Sequence, residues 1–528
     1  MSTQSVSFET VQEDVLGHPM TVFRDRHRSL RALLDASLAF GERDYLVEGD
    51  RRISFAEHHA AVGPVATWLA QQGVGKGDRV AILGRNSIEW VVTFWATVSL
   101  GAIAVGLNAW WSREELDFGI ADSEPKLLVD DMSVIRPLVD PDQSPHVGHR
   151  RPLSGDWSGV PDVEVAEDDP AVIIYTSGTT GHAKGATHSH RNLVGLVQAQ
   201  QAVAASRIPP GLTLPPARIL STTPLFHVSG LHSGVVAALS AGSTVIWQPG
   251  RFDPDATLAT IEREQVTSWT SVPTTVWRVV HHPRVGDYDT STLRHIGGGG
   301  ASWSPALREK MREVFGEQLA YGIGYGLTES NGLATSTSYV ELLQHPETVG
   351  RPAPTVEIKV VDPDGVVCPE GETGEICIRG PLNMLGYWRN EPATRAMIDD
   401  ERWLHSGDLG AMRDGLLYLT TRRTDLILRG GENVYPVEIE NCLEHHPGVA
   451  EAAVVGVPDD ELGQQVCAVV VPLPGTALDE AELAAHVKER LAYFKVPSRW
   501  VVRDEPLPRN ASGKVLRAQV LSTLEESS

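Results

Sequence analysis

The sequence predicts an α/β protein with a large N-terminal domain of parallel βα sheets, a small β-barrel-like subdomain and a small α+β C-terminal domain. Three observations carry that expectation. Short apolar runs alternate with capped, helix-spaced segments through the first half of the chain. Turn-rich, strand-spaced sequence takes over near Glu347. Residues 425–528 then return to mixed helix and strand. Repeated βα units call for parallel sheets with helices laid over them.

Taken in order, Ser54-Phe55-Ala56-Glu57 has capping-box spacing and predicts a helix ending near Gly73. Gly77-Asp78 turns into the apolar strand 79–83, and a helix follows from about Ser87. The run Ala102-Ile103-Ala104-Val105 reads as a strand, and Ser112-Arg113-Glu114-Glu115 repeats the capping spacing. Residues 218–220 and 243–247 predict strands, with 255–264 helical. From about 347 to 423, strands such as 356–361 and 375–379 are separated by Asp-Pro-Asp-Gly and Glu-Gly-Glu-Thr-Gly turns. That spacing predicts a small antiparallel barrel or sheet. In the last segment, 436–444 is helical, while 451–457 and 467–471 are strands. Asp479 caps a helix carrying Leu483, Val487 and Leu491.

At 528 residues the chain exceeds one core, so at least two domains are expected. A net charge of −23 argues against nucleic acid or an anionic membrane as the main partner. Four scattered cysteines (Cys368, Cys377, Cys442, Cys467) lack metal-ligand spacing, which fits a reducing cytoplasm. The N-terminus has no basic region followed by an apolar core, so no signal peptide is expected. Residues 91–107 carry no charge but fall short of a membrane span. A buried helix running into a strand is the expected form.

The most informative stretch is residues 175–185, Y-T-S-G-T-T-G-H-A-K-G, directly behind the apolar run 171–174. Glycines let a backbone approach a ligand closely, and successive N–H groups with Ser177, Thr179 and Thr180 hydroxyls make a cradle for phosphate oxygens. It is not a Walker loop, because Lys184 is followed by Gly185-Ala186 rather than Ser or Thr. Taken alone, a plain surface turn remains open.

The string nevertheless resembles the signature loop of the adenylate-forming superfamily: acyl-CoA synthetases, peptide-synthetase adenylation domains and beetle luciferases. Five further blocks resemble the family's in the expected order. They are 224–230 (P-L-F-H-V-S-G), 297–301 (G-G-G-G-A), 325–329 (Y-G-L-T-E), 403–408 (W-L-H-S-G-D) and 422–440. A final segment, N-A-S-G-K-V-L-R over 510–517, lies near the C-terminus. The resemblance implies ATP, Mg²⁺ and coenzyme A as ligands, with a small-molecule carboxylic acid as substrate. It leaves a homodimer open.

The resemblance also implies roles. Thr176, Ser177, Gly178, Thr179, Thr180, Gly181 and Lys184 would hold ATP phosphates, with Gly299, Gly300, Ala301 and Gly326 around the nucleotide. Glu329 would hold Mg²⁺, as suits a cation that takes a carboxylate plus waters. Thr328 would donate to a phosphate oxygen, and Tyr325 would offer a flat face to adenine. Asp408 would accept from both ribose hydroxyls, and Arg422 would present its fork of donors nearby. Ser406 stands where the family more often has threonine. Lys514 would stabilise charge building at the α-phosphate, a contact whose loss typically costs about 3–4 kcal/mol, a hundredfold or more in rate.

Lys514 lies in the C-terminal unit and the phosphate loop in the large one, so the resemblance implies a mobile small domain. The expected division is an adenylation domain over 1–423, with its β-rich subdomain at about 347–423, and a C-terminal domain over 425–528. The hinge falls near Thr424, where the family more often has Asp or Lys. Gly430 and Gly431 would pass the pantetheine arm, with a plain turn as the rival reading.

His227, Gly230, Gly299 and Gly300 would border the acyl pocket. No acidic residue stands beside Phe226-His227, so an α-amino acid substrate is disfavoured. Small residues there permit a long tunnel and a medium- or long-chain fatty acid. An aryl, branched or steroid side-chain acid is the alternative. Luciferase-like oxidation or a non-catalytic acyl-adenylate binder are readings of another class, the latter opposed by intact Lys514, Glu329 and Asp408. His188 and His190, lacking carboxylate or thiol neighbours, are expected in loops rather than on a metal.

Overall fold

A computed structural model describes the chain except residues 1–6, 131, 133–134, 136–156, 177–182, 210–211, 213, 249–251, 299–304, 423–424, 430–431, 460–461, 511–513 and 527–528. The side chains of 274, 305–306, 421–422, 428, 432–433 and 525–526 also lie outside the description.

The capping signals fold as their chemistry dictates. Ser54 Oγ accepts from the Glu57 N–H at 3.1 Å and Glu57 returns the bond to Ser54 N–H at 2.8 Å, opening helix Phe55–Gln71. Ser112 and Glu115 do the same for Arg113–Ser123. The uncharged stretch becomes helix Ile88–Ser99, buried along its whole length, running into strand Ile103–Leu107. Its one acid, Glu89, is fully buried and paired with Arg51. Among the described residues, no helix is long and apolar enough to cross a membrane.

Two large sheets divide the first part of the chain. One orders its strands Gly386–Tyr387, Lys184–Ser189, Pro170–Thr176, Ile103–Leu107, Arg79–Leu83 and Leu127–Val129. Its central pairs are parallel, and the Pro170–Thr176/Lys184–Ser189 hairpin is antiparallel. The other runs parallel from Asp44–Glu48 through Thr244–Trp247, Arg218–Ser221, Ser268–Thr270 and His295–Gly298 to Ala320–Tyr325. There it turns antiparallel through Thr335–Ser336 and Thr348–Pro352 into the β-rich stretch. The β-rich residues are thus antiparallel, as their turns predict, and their ladder continues into the parallel sheet.

Trp269, Ile296, Tyr321 and Ile323 on one face of this sheet join Val276, Met311 and Phe315 in a single core. Truncating a buried side chain such as Trp269 to alanine would cost about 3–5 kcal/mol. The C-terminal segment has its own sheet, with Val449–Asp459 antiparallel to Gly463–Pro472 and Arg499–Val502 parallel to the latter. Helices Pro436–Glu444 and Glu480–Lys488 cover it. The second helix ends before Leu491, whose N–H still reaches the Val487 carbonyl at 2.8 Å and whose side chain packs on the same core.

Candidate active site

Tyr325 closes strand Ala320–Tyr325, and Asp408 lies within Leu404–Arg413. Folding brings them together across 83 residues: the Tyr325 phenol donates to Asp408 Oδ2 at 2.8 Å, with both residues nearly buried. The turn before Asp408 is held from several sides. Ser406 Oγ accepts from the Asp408 N–H at 3.1 Å and donates to the Ile376 carbonyl at 2.7 Å. Gly407, at φ 69°, donates its N–H to Glu375 Oε1 at 3.1 Å. Arg422 is the ladder partner of Asp408.

In the antiparallel hairpin, Thr176 stands opposite Lys184. Ser177, Gly178, Thr179, Thr180 and Gly181 lie outside the described residues, as do Gly299, Gly300, Ala301, Thr424, Gly430 and Gly431. Lys184 places its ammonium 5.3 Å from the Tyr387 ring centroid, a cation–π distance. Tyr387 in turn donates to Glu329 Oε1 at 2.6 Å. Burial and the Glu329 charge push the phenol pKa well up, so it stays a donor. The Met384 N–H bonds the Glu329 carbonyl at 2.8 Å, fixing the turn Thr328–Ser330 that also carries Thr328.

Sequence reasoning missed Tyr387. It reaches the site because the two-residue strand Gly386–Tyr387 adds to Lys184–Ser189, a pairing across about two hundred residues that periodicity does not reveal. The only local sign is the aromatic pair Tyr387-Trp388 after Gly386.

Glu329 Oε2 has no hydrogen-bond partner among the described residues, which leaves it for a cation. Among the same residues no group of three or more acids, histidines or cysteines forms a metal cage. A lone carboxylate suits magnesium, which keeps waters and substrate oxygens as ligands.

Gly326 and Gly230 are set by close packing. A Cβ on Gly326 would stand 2.5 Å from the Gly332 carbonyl carbon, and one on Gly230 would stand 2.1 Å from the Pro224 oxygen. Beside Gly230, His227 tilts against Phe226, which meets exposed Trp110 edge-on. Burial lowers the His227 pKa to about 4, so its imidazole is neutral, and Nε2 lacks a partner among the described residues.

The loop expectation for His188 and His190 is overturned. His188 is buried in strand Lys184–Ser189, and His190 begins helix His190–Ser206, where its Nδ1 accepts the Leu30 N–H at 3.2 Å. The polar string H-S-H-R-N hides a strand end because Ser189 serves as the helix N-cap. His188 packs edge-on against His232, whose Nδ1 lies 2.6 Å from Asn331 Oδ1, directly after the Thr328–Glu329 turn.

Lys514 sits on a tight turn. Its N–H donates to Asn510 Oδ1 and its carbonyl accepts the Asn510 N–H, both at 2.9 Å. Arg509 and Val515 form an antiparallel bridge around it. Arg509 grips Glu451 at 2.7 Å, and Arg517 spans Asp425 at 3.2 Å and Glu440 at 2.6 Å.

With this geometry in place, comparison with known proteins is decisive at the family level. Residues 34–388 match the AMP-binding enzyme family, and 438–514 match the AMP-binding enzyme C-terminal domain. The chain belongs to the AMP-binding enzymes of the adenylate-forming superfamily, and it is an acid–thiol ligase of the AMP-forming class. It is 35% identical to a feruloyl-CoA synthase of an Amycolatopsis, covering 89% of this chain and 94% of that one. It is 32% identical to a long-chain-fatty-acid–CoA ligase of Mycobacterium tuberculosis, covering 89% and 92%. Among solved structures, o-succinylbenzoate CoA synthetase from Bacillus subtilis, in complex with its acyl-adenylate intermediate, superposes with a TM-score of 0.76. It is 33% identical, with 94% of this chain and 98% of that one covered.

Proposed function

We propose that the protein is an ATP-dependent acid–CoA ligase. Carboxylic acid and ATP give acyl-AMP and pyrophosphate, and CoA then gives the acyl thioester and AMP. The observation that carries this reading is the pair of phenol–carboxylate contacts, Tyr325–Asp408 and Tyr387–Glu329, beside the glycine-rich hairpin.

In this reading Asp408 accepts from the ribose hydroxyls while Tyr325 holds the carboxylate in place and offers its ring to adenine. Arg422 donates near the ribose or phosphate. Thr176, Lys184, Thr328 and the 177–181 loop bind phosphate oxygens. Glu329, steadied by Tyr387, holds Mg²⁺, which when bound neutralises phosphate charge. Lys514 donates to the α-phosphate as the acid attacks; positioning and charge neutralisation supply most of the acceleration. The small domain, 425–528, then turns about Thr424 against residues 1–423, and Gly430 and Gly431 border the path of the CoA arm. We assign the enzyme to the cytoplasm, and a homodimer is the oligomer to test first.

The acid is hydrophobic. A medium- or long-chain fatty acid and a ring-bearing acid both fit a pocket bordered by His227 and Gly230, and the relatives' names include both kinds. A CoA-dependent AMP-release screen over fatty, aromatic and steroidal acids tests the reading. AMP and pyrophosphate must appear with at least one acid; ADP and phosphate instead would overturn it.

A further inference from the structure

One face of the long sheet differs from the other. In register, Ser268 stands beside His295, Thr270 beside Gly297, Gly297 beside Gly322, and Gly324 opposite Ser336. These side chains share a face, since neighbours across a ladder point the same way. The reverse face packs Trp269, Ile296 and Tyr321 into the core. The first face stays half-buried at His295, Gly297, Gly322 and Gly324, so surface is retained deep in the domain. With glycine at 297, 322 and 324, this face lacks side chains that would fill the space over the strands, which we read as the floor of an acyl slot.

His295 lies across that floor. A Cβ on Gly297 would stand 2.8 Å from its Cε1, and one on Gly322 would stand 3.5 Å from its Nε2. Nδ1 meets Ser268 Oγ at 3.3 Å, while Nε2 has no hydrogen-bond partner among the described residues. Burial, and then the facing Arg207 charge, bring the His295 pKa down to about 4, so the ring is neutral. The neutral ring carries one proton; with Ser268 Oγ able to donate to Nδ1, an acceptor beside Nε2 selects the tautomer protonated there. Arg207, at the end of helix His190–Ser206, donates to Ser336 Oγ at 2.8 Å. It has no carboxylate within ion-pair distance among the described residues. Both groups offer donors: His295 through Nε2, and Arg207 through the guanidinium N–H groups beyond its bond to Ser336.

Resting on the acid–CoA ligase reading, we propose that His295 and Arg207 form an oxygen-recognition subsite at the far end of the acyl slot. The activated acid then carries a hydrogen-bond acceptor, an oxo or carboxylate oxygen, remote from its reacting carboxyl. His295 lies three residues below Gly298 on one strand, which puts that oxygen roughly 10 Å along the slot. An unsubstituted alkyl tail would leave the His295 donor desolvated and unpaired, a mismatch that sites built for hydrogen bonding discriminate against strongly.

The test compares nonanoic acid, 8-oxononanoic acid and nonanedioic acid as substrates of the full-length enzyme with ATP, magnesium and CoA. At least one oxygenated acid should exceed nonanoic acid by roughly tenfold or more in kcat/KM. A winning oxo acid identifies a neutral acceptor, and a winning diacid a charged one. Arg207→Leu and His295→Leu should each shrink the preference, chiefly by raising the KM of the oxygenated acid. Arg207 is exposed, so its variant reports even if the His295 variant folds poorly. Nonanoic acid doing as well as both oxygenated acids, or variants lowering all three equally, overturns the subsite. Turnover with other acids but none of these three overturns it too. If no acid at all yields a thioester, the ligase reading itself has failed.

Discussion

At the candidate site two carboxylates accept from phenols, Asp408 from Tyr325 and Glu329 from Tyr387. Around Lys514 the acids are held by cations, Arg509 on Glu451 and Arg517 on Asp425 and Glu440. A phenol orients a carboxylate without adding a charge of its own. The arginine pairs tie residue 425 to the turn that carries Lys514. One region aims carboxylates through phenols; the other joins its elements through ion pairs.

If that contrast is right, Lys514→Ala should produce the largest loss. Adenylation should fall a hundredfold or more, about 3–4 kcal/mol, while thioester formation from supplied acyl-AMP stays near the wild-type rate. Equal losses in both half-reactions would remove the assigned role.

Acid should strike the large domain first. Burial lowers the pKa of both His190 and His232 to about 4, from an unfolded value near 6.5. The unfolded chain therefore binds protons that the folded one refuses. Their neutral burial carries no penalty above pH 6.5, and stability falls as the pH drops from there toward 4. Each contributes on the order of 3 kcal/mol by the bottom of that window. Urea unfolding followed by tryptophan fluorescence between pH 7 and 4 measures it; a flat profile would contradict the buried neutral rings.

Arg517→Ala should destabilise the small domain by about 2–3 kcal/mol, less than a wholly buried pair because the side chain is partly exposed. Hydrogen exchange on 436–459 reads this directly, with the large domain unaffected. Tyr387→Phe should raise the magnesium requirement of adenylation several-fold, about 1–2 kcal/mol, with the KM for acid unchanged. Ser406→Ala should weaken ATP use by about 1 kcal/mol. Ser406→Thr should restore it, because the hydroxyl that accepts the Asp408 N–H returns.

Local chemistry made most of the fold readable. Capping boxes at Ser54 and Ser112 and the apolar run after residue 100 gave element starts to within a residue or two. The glycine-rich hairpin and the Tyr325 and Asp408 blocks were legible as motifs. Tyr387 was not, because its role depends on a short strand pairing far along the chain. His188 was misread because a strand buried on both faces has no alternation to show. The His295–Arg207 face was invisible for a related reason: only the sheet register reveals which small residues share a side.

The central claim is that activation and transfer are separate steps. It is tested most directly by mixing enzyme, ATP, magnesium and a substrate acid without CoA. The account predicts a burst of one pyrophosphate per active site, with acyl-AMP held until CoA discharges it as AMP and thioester. Pyrophosphate appearing only once CoA is present would contradict it.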